Sequence, residues 1–114
     1  MFRRTTTPEV TLTDFAAAHA AGALTVDVRE PGEYVGGHVP GAINIPLTLL
    51  GTRATSLAAD SKGAPVFVIC ASGNRSKAGA GLLLRVGLDA RSVTGGTAAW
   101  SRAGHPTVAG SRRG

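Results

Sequence analysis

Apolar residues in this 114-residue chain gather into short runs separated by glycine and proline breaks, and the period of each run predicts its element. Residues before Pro8 read as frayed. Glu9-Val10-Thr11-Leu12 alternates and predicts a short strand. Thr13 is a suitable N-cap with Asp14 in the first turn, so Phe15 to Ala21 is expected as a helix stopped by Gly22. Leu24-Thr25-Val26-Asp27-Val28 is rich in β-branched residues and predicts a buried strand, ended by Arg29-Glu30-Pro31-Gly32. Glu33-Tyr34-Val35 allows at most one helical turn. His38-Val39-Pro40-Gly41 is a turn, and Ala42 to Ile45 is a third strand closed by Pro46. Leu47 to Ala59 is weakly helical, with Asp60 to Gly63 as a loop. Val66-Phe67-Val68-Ile69 is a fully apolar strand. A helix is expected over Ser76 to Val86, with Gly87 as its stop. Its small residues Ala78, Gly79, Ala80 and Gly81 permit close approach to a sheet at some cost in helix propensity. Ala90 to Val93 is a short strand. Thr97 is expected to cap a last helix through Trp100 and Ser101, broken at Gly104-His105-Pro106.

Strands alternating with helices predict an α/β fold with a mostly parallel sheet. Sites in such sheets collect at the carboxyl ends of strands. Cys70 follows one such end and Arg29 another. The length and the 43% hydrophobic content fit one globular domain with a single core.

The formal net charge of +5 raises the question of nucleic-acid binding. The arginines do not form a stripe: Arg3 and Arg4 lie near one end, Arg112 and Arg113 near the other, and Arg29, Arg53, Arg85, Arg91 and Arg102 are scattered. With only five aromatic residues to interleave, no nucleic-acid partner is expected, and a positive field that attracts small anions fits at least as well. No apolar run approaches the roughly 18 residues of a membrane span, and the first residues lack the apolar region of a secretory signal, so no membrane partner is expected. The one cysteine forms no internal disulfide, so a reducing compartment, the cytoplasm, is the expected placement.

That cysteine carries the candidate chemistry. Four apolar residues deliver Cys70 to the polar loop Ala71-Ser72-Gly73-Asn74-Arg75-Ser76, where a helix begins. Free cysteine is often simply buried. At a strand-to-helix turn, however, unpaired backbone N–H groups and the positive end of the helix dipole favour the thiolate. Gly73 permits backbone angles that turn successive N–H groups inward. Ser72, Asn74 and Ser76 add short hydrogen-bonding side chains. Arg75 supplies a planar charged fork suited to oxyanions. Together these residues form a cradle for an anion bonded to, or attacked by, the sulfur.

These motifs resemble the rhodanese family of sulfurtransferases. Val26-Asp27-Val28-Arg29-Glu30 with Glu33-Tyr34 is similar to the family's first signature, and Gly37 to Pro46 to its continuation. Cys70 to Ser76 resembles the active-site loop, and Gly95-Gly96 with Trp100 the closing signature. The resemblance covers residues 8–108. It leaves 1–7 as an expected disordered start and 109–114 as an expected flexible tail. The implied fold is a single rhodanese-like domain, a central sheet of about five strands with helices on both faces.

The resemblance implies a mechanism. Cys70 attacks the sulfane sulfur of thiosulfate or a persulfide donor, carries a persulfide, and passes the sulfur to cyanide or a thiol acceptor, a protein thiol included. Ala71, Ser72, Gly73, Asn74, Arg75 and Ser76, with Arg29, are expected to bind the anionic donor. Neither a metal nor an organic cofactor is required. A monomer or weak dimer is expected. A non-catalytic rhodanese-like binding or sulfur-carrier module is the alternative, although such a module does not need Cys70. Cysteine-based phosphatases, and arsenate reductase with them, form the other rival. Phosphatases place arginine six positions after cysteine; here arginine is at position five and Ser76 at position six. The shorter ring suits a sulfur-sized adduct.

Asp27, a charge inside an apolar strand, requires a partner. The resemblance suggests that it organises the neighbouring loops with Arg29 or His38. Arg29 either lines the pocket or pairs with Glu33. His38 is expected as a hydrogen-bonding residue of its turn, and Trp100 as core or pocket wall. Lys77 either draws anions to the mouth or is simply solvated. His19 and His105 lack ligand-like neighbours, so no metal site is expected.

Overall fold

The computed structural model describes residues 7–114. Five strands, β1 (Glu9–Val10), β2 (Leu24–Asp27), β3 (Ile43–Asn44), β4 (Val66–Ile69) and β5 (Ala90–Val93), form one sheet in the order β1-β5-β4-β2-β3. Every neighbouring pair is parallel. Five α-helices, α1 (Leu12–Ala20), α2 (Pro31–Val35), α3 (Ala54–Ser61), α4 (Asn74–Arg85) and α5 (Gly96–Arg102), and a 3-10 helix at Leu47–Arg53 connect them. The expected α/β class and largely parallel sheet are therefore present.

The apolar run of β4 is buried throughout because both of its faces are covered. Its side chains alternate between two cores. Val66 and Val68 pack with Val26, Leu50, Leu57, Ala80 and Leu83, beneath α3, α4 and the 3-10 helix. Phe67 and Ile69 pack with Phe15, Tyr34 and Trp100, beneath α1, α2 and α5. The register pairs Asp27 with Ile69, so β2 and β4 end level with each other. The Val28 amide continues the ladder to the Ile69 carbonyl at 3.0 Å. Val28 and Cys70 thus leave the sheet side by side at its carboxyl edge, with Arg29 one residue further on. This is also where the strand order reverses, the usual place for a site in an open parallel sheet.

Several boundaries differ from expectation. The N-cap of α1 is Thr11, not Thr13: the Thr11 hydroxyl accepts the Asp14 amide at 3.1 Å, and Leu12 opens the helix instead of closing β1. A capping box between Glu30 and Glu33 draws Pro31 and Gly32 into α2. Helix α4 starts at Asn74, two residues early, because left-handed Gly73 (φ 114°) lets the chain enter it at once. Gly95 caps α5, so Thr97 lies inside the helix and its hydroxyl is free for another task. Residues 1–6 of the expected disordered start lie outside the described residues. Residues 109–114, expected as a tail, run back to the turn at 38–41: the Gly41 amide donates to the Arg113 carbonyl, and Arg113 Nε donates to the Gly41 carbonyl at 3.0 Å.

Among the described residues no helix is long and apolar enough to cross a membrane.

Candidate active site

Strand β4 delivers Cys70 to the carboxyl edge of the sheet, and the loop closes around its sulfur. The thiol is free and buried. The Gly73 amide donates to Cys70 Sγ at 3.1 Å, and Ser76 Oγ lies 3.5 Å from the same atom. Burial pushes the Cys70 thiol up, but the Ser76 hydroxyl and the amides of Ser76, Gly73 and Ser72 together outweigh it and hold the thiol below its ordinary value. The loop's own donors thus favour the thiolate.

Two elements fix the loop from outside. Helix α5 approaches so closely that the Thr97 amide and hydroxyl both donate to the Cys70 carbonyl, at 2.8 and 3.1 Å, and the Ala98 amide donates to the Ala71 carbonyl at 3.1 Å. Only glycine fits at Gly96, with φ 59°: a Cβ there would lie 2.6 Å from the Ala71 carbonyl oxygen and closer still to that of Cys70. Both carbonyls point at the N-terminus of α5, which leaves the loop amides to face the sulfur. From β5, Ser92 brings its hydroxyl to 2.7 Å from Ser76 Oγ, and Ser76 also donates to the Gly73 carbonyl at 3.0 Å.

The structure gathers the expected loop residues but divides their work. Gly73 and Ser76 are buried against the sulfur, Ala71 is half-buried, and Ser72 and Asn74 have exposed side chains. Arg75 sits at the mouth, where Nη1 and Nη2 reach Glu33 Oε1 and Oε2 at 2.6 and 2.9 Å. This bidentate contact holds the Glu33 carboxyl well below the usual range, at about 2, against a smaller opposing effect of burial. Lys77 is exposed and pairs with Glu9 at 3.6 Å.

Arg29 departs from its expected roles as donor-binding residue or partner of Glu33. It is 7% exposed, and its Nε and Nη2 are held by Asp27 at 2.8–3.1 Å. Nη2 also donates to the Gly37 carbonyl at 2.8 Å. A fully buried carboxylate on β2 requires a matched cation, and the nearest one turns inward to meet it. Asp27 is therefore paired with Arg29, not His38. Their link to Gly37 ties the end of β2 to the following turn. Asn44 adds donors to the Asp27 and Arg29 carbonyls at 3.1 and 2.9 Å.

His38 is fully buried, stacked on Tyr34 at 3.6 Å, with Nδ1 2.9 Å from the Tyr34 carbonyl. Its contacts are those of a hydrogen-bonding residue of its turn. Trp100 is core: it packs on Phe15, His19 and His105, and its Nε1 donates to the Pro106 carbonyl at 2.7 Å.

Sequence reasoning missed Ser92, Thr97 and the partner of Arg75. With Arg91 before it and Val93 after it, Ser92 carries no local signal that singles it out. The glycine pair before Thr97 hinted at a close approach. Nothing local pointed from Glu33 to Arg75, 42 positions away.

Comparison with known proteins agrees with this geometry. The family model for the Rhodanese-like domain matches residues 11–103. A thiosulfate sulfurtransferase from Pseudomonas aeruginosa is 32% identical with a TM-score of 0.83; the alignment covers 94% of this chain and 21% of that one. A rhodanese-related protein from Thermoplasma volcanium is 31% identical with a TM-score of 0.72, covering 89% of this chain and 97% of that one. A Rhodopseudomonas palustris protein described as a possible tyrosine phosphatase is 26% identical with a TM-score of 0.80, covering 90% and 85%. With the match running from α1 through the cysteine loop to α5, and so over four of the five strands, this chain belongs to the rhodanese-like domain family.

Proposed function

We propose that this domain is a sulfurtransferase that carries a sulfane sulfur on Cys70. The observation that carries this reading is the sulfur itself: a thiol held below its ordinary pKa by a ring of loop amides and one serine. The Cys70 thiolate attacks the outer sulfur of thiosulfate or of a persulfide. The donor's S–S bond breaks, and its electron pair leaves with sulfite or the donor thiolate. The new terminal sulfur bears the negative charge, which the amides of Ser72, Gly73 and Ser76 receive as they received the thiolate. An acceptor thiolate or cyanide then attacks that sulfur, and Cys70 leaves as thiolate. Donor and acceptor occupy one site in turn, so ping-pong kinetics follow.

The partners are a small anionic sulfur donor and a thiol acceptor, in the reducing cytoplasm that an unprotected thiol suits. Arginine at position five, rather than six, favours sulfur over a phosphoryl group with three equatorial oxygens. Initial rates with thiosulfate and cyanide test the reading. Parallel double-reciprocal lines, abolished in Cys70→Ser, are expected. Inactivity toward thiosulfate and every persulfide donor favours the binding module, and faster hydrolysis of an aryl phosphate favours the phosphatase.

A further inference from the structure

The fork offered to an incoming oxyanion is already occupied. Arg75 is the cation at the mouth of the Cys70 loop, and both its terminal nitrogens are held by the two oxygens of Glu33. The carboxylate is not a drifting surface group: Glu33 Oε1 also accepts the Glu30 amide at 3.0 Å, in the capping box of α2. The pair therefore bridges α2 and α4 across the loop. Both side chains are more than a third exposed (39% and 38%), so solvent and solutes reach the contact and either partner can swing away.

We propose that Glu33 is a latch on Arg75, a specificity-determining carboxylate that a small free oxyanion must displace before the guanidinium binds it. A donor whose sulfane sulfur is borne on a neutral or thiol carrier needs no such displacement, because the loop amides alone receive the transferred sulfur. Glu33 thereby biases the site away from free dianions such as thiosulfate and toward thiol-borne persulfides. Its carboxyl, held at about 2 chiefly by Arg75, stays ionised throughout the neutral range, so competing anions and salt open the latch and protonation does not. The choice of donor class rests on the sulfur-transfer reading above. The latch itself concerns any anion approaching Cys70.

That separation sets the test. Cys70 is the only cysteine, so alkylation reports this site without ambiguity. Iodoacetate and iodoacetamide differ in one negative charge, and the ratio of their rates measures how well the mouth accepts an anion. Glu33→Gln keeps the capping-box acceptor and removes the charge. The ratio is expected to rise about two- to fivefold in Glu33→Gln, the range of an exposed ion pair. It is expected not to rise when the same change is made in Arg75→Gln. The KM for thiosulfate should fall by a similar factor with kcat little changed. An unchanged or lower ratio in Glu33→Gln overturns the latch, since Glu33 then holds Arg75 in place for the anion. An equal rise without Arg75 also overturns it, leaving only bulk charge. A protein inactive in sulfur transfer still yields the alkylation ratio, so the latch and the proposed function fail separately.

Discussion

Ser92 Oγ lies 2.7 Å from Ser76 Oγ, and Ser76 Oγ lies 3.5 Å from the sulfur of Cys70, so a buried chain of two hydroxyls runs from β5 to the nucleophile. Ser76 has one proton and three neighbours. When Cys70 is ionised, Ser92 can donate to Ser76, and the Ser76 hydroxyl is then free to turn from the Gly73 carbonyl to the thiolate. Ser92 is thus a positioning residue that acts through Ser76.

Removing either hydroxyl should raise the thiol pKa. The folded value lies below the ordinary one, so the rate of iodoacetamide alkylation should climb with pH through a midpoint below that of free cysteine. Ser76→Ala should move the midpoint up, and Ser92→Ala should move it up by less. Near pH 7 the Ser76→Ala rate should fall about fivefold, the worth of one hydrogen bond of about 1 kcal/mol. An unmoved midpoint in Ser76→Ala contradicts the role given to the serine.

Asp27 and Arg29 form a buried pair in which neither partner tolerates loss of the other. Arg29→Met should destabilise the fold by about 3 kcal/mol or more in urea unfolding, because it leaves a fully buried carboxylate without its cation. Exchange of both residues for apolar ones should recover part of this loss. A single-variant cost below about 1 kcal/mol would mean that water reaches Asp27.

Gly96→Ala should impair the site more than the fold. The new Cβ meets the Ala71 and Cys70 carbonyls, and α5 or the start of the loop must shift. Strain of about 1–3 kcal/mol is expected in stability, together with a larger fractional loss in kcat/KM because the amides around the sulfur move. Wild-type kcat/KM in this variant would show that the loop does not depend on α5.

The Glu33–Arg75 pair should leave a mark on acid stability. A depressed carboxyl stabilises the folded state above its unfolded pKa, near 4.5, and that contribution drains away as pH falls toward about 2. The stability difference between wild type and Glu33→Gln should be flat above about pH 5 and shrink below it. Screening at this exposed site keeps it under about 1 kcal/mol. A difference that grows on acidification contradicts the pairing.

Local signals made the frame legible. The β-branched runs marked β2 and β4, and glycine at position 73 marked the turn that aims the amides. What escaped was set by distance in the chain or by burial. Arg29 stands four positions from Glu33 and looked like its partner, yet the buried Asp27 draws Arg29 inward and leaves Glu33 to Arg75, from another helix. Thr97 looked like an N-cap because threonine after two glycines suits one, but Gly95 takes the cap and the hydroxyl serves the Cys70 carbonyl. The Ser92 relay needs β4 and β5 to be neighbours, which no local pattern states.

The most direct measurement is the intact mass of the protein after incubation with thiosulfate, and separately with a thiol persulfide, followed by removal of excess donor. The account predicts a gain of about 32 Da, one sulfur atom, that is absent in Cys70→Ser and disappears when cyanide is added. Wild-type protein that stays at its starting mass with every donor would contradict it.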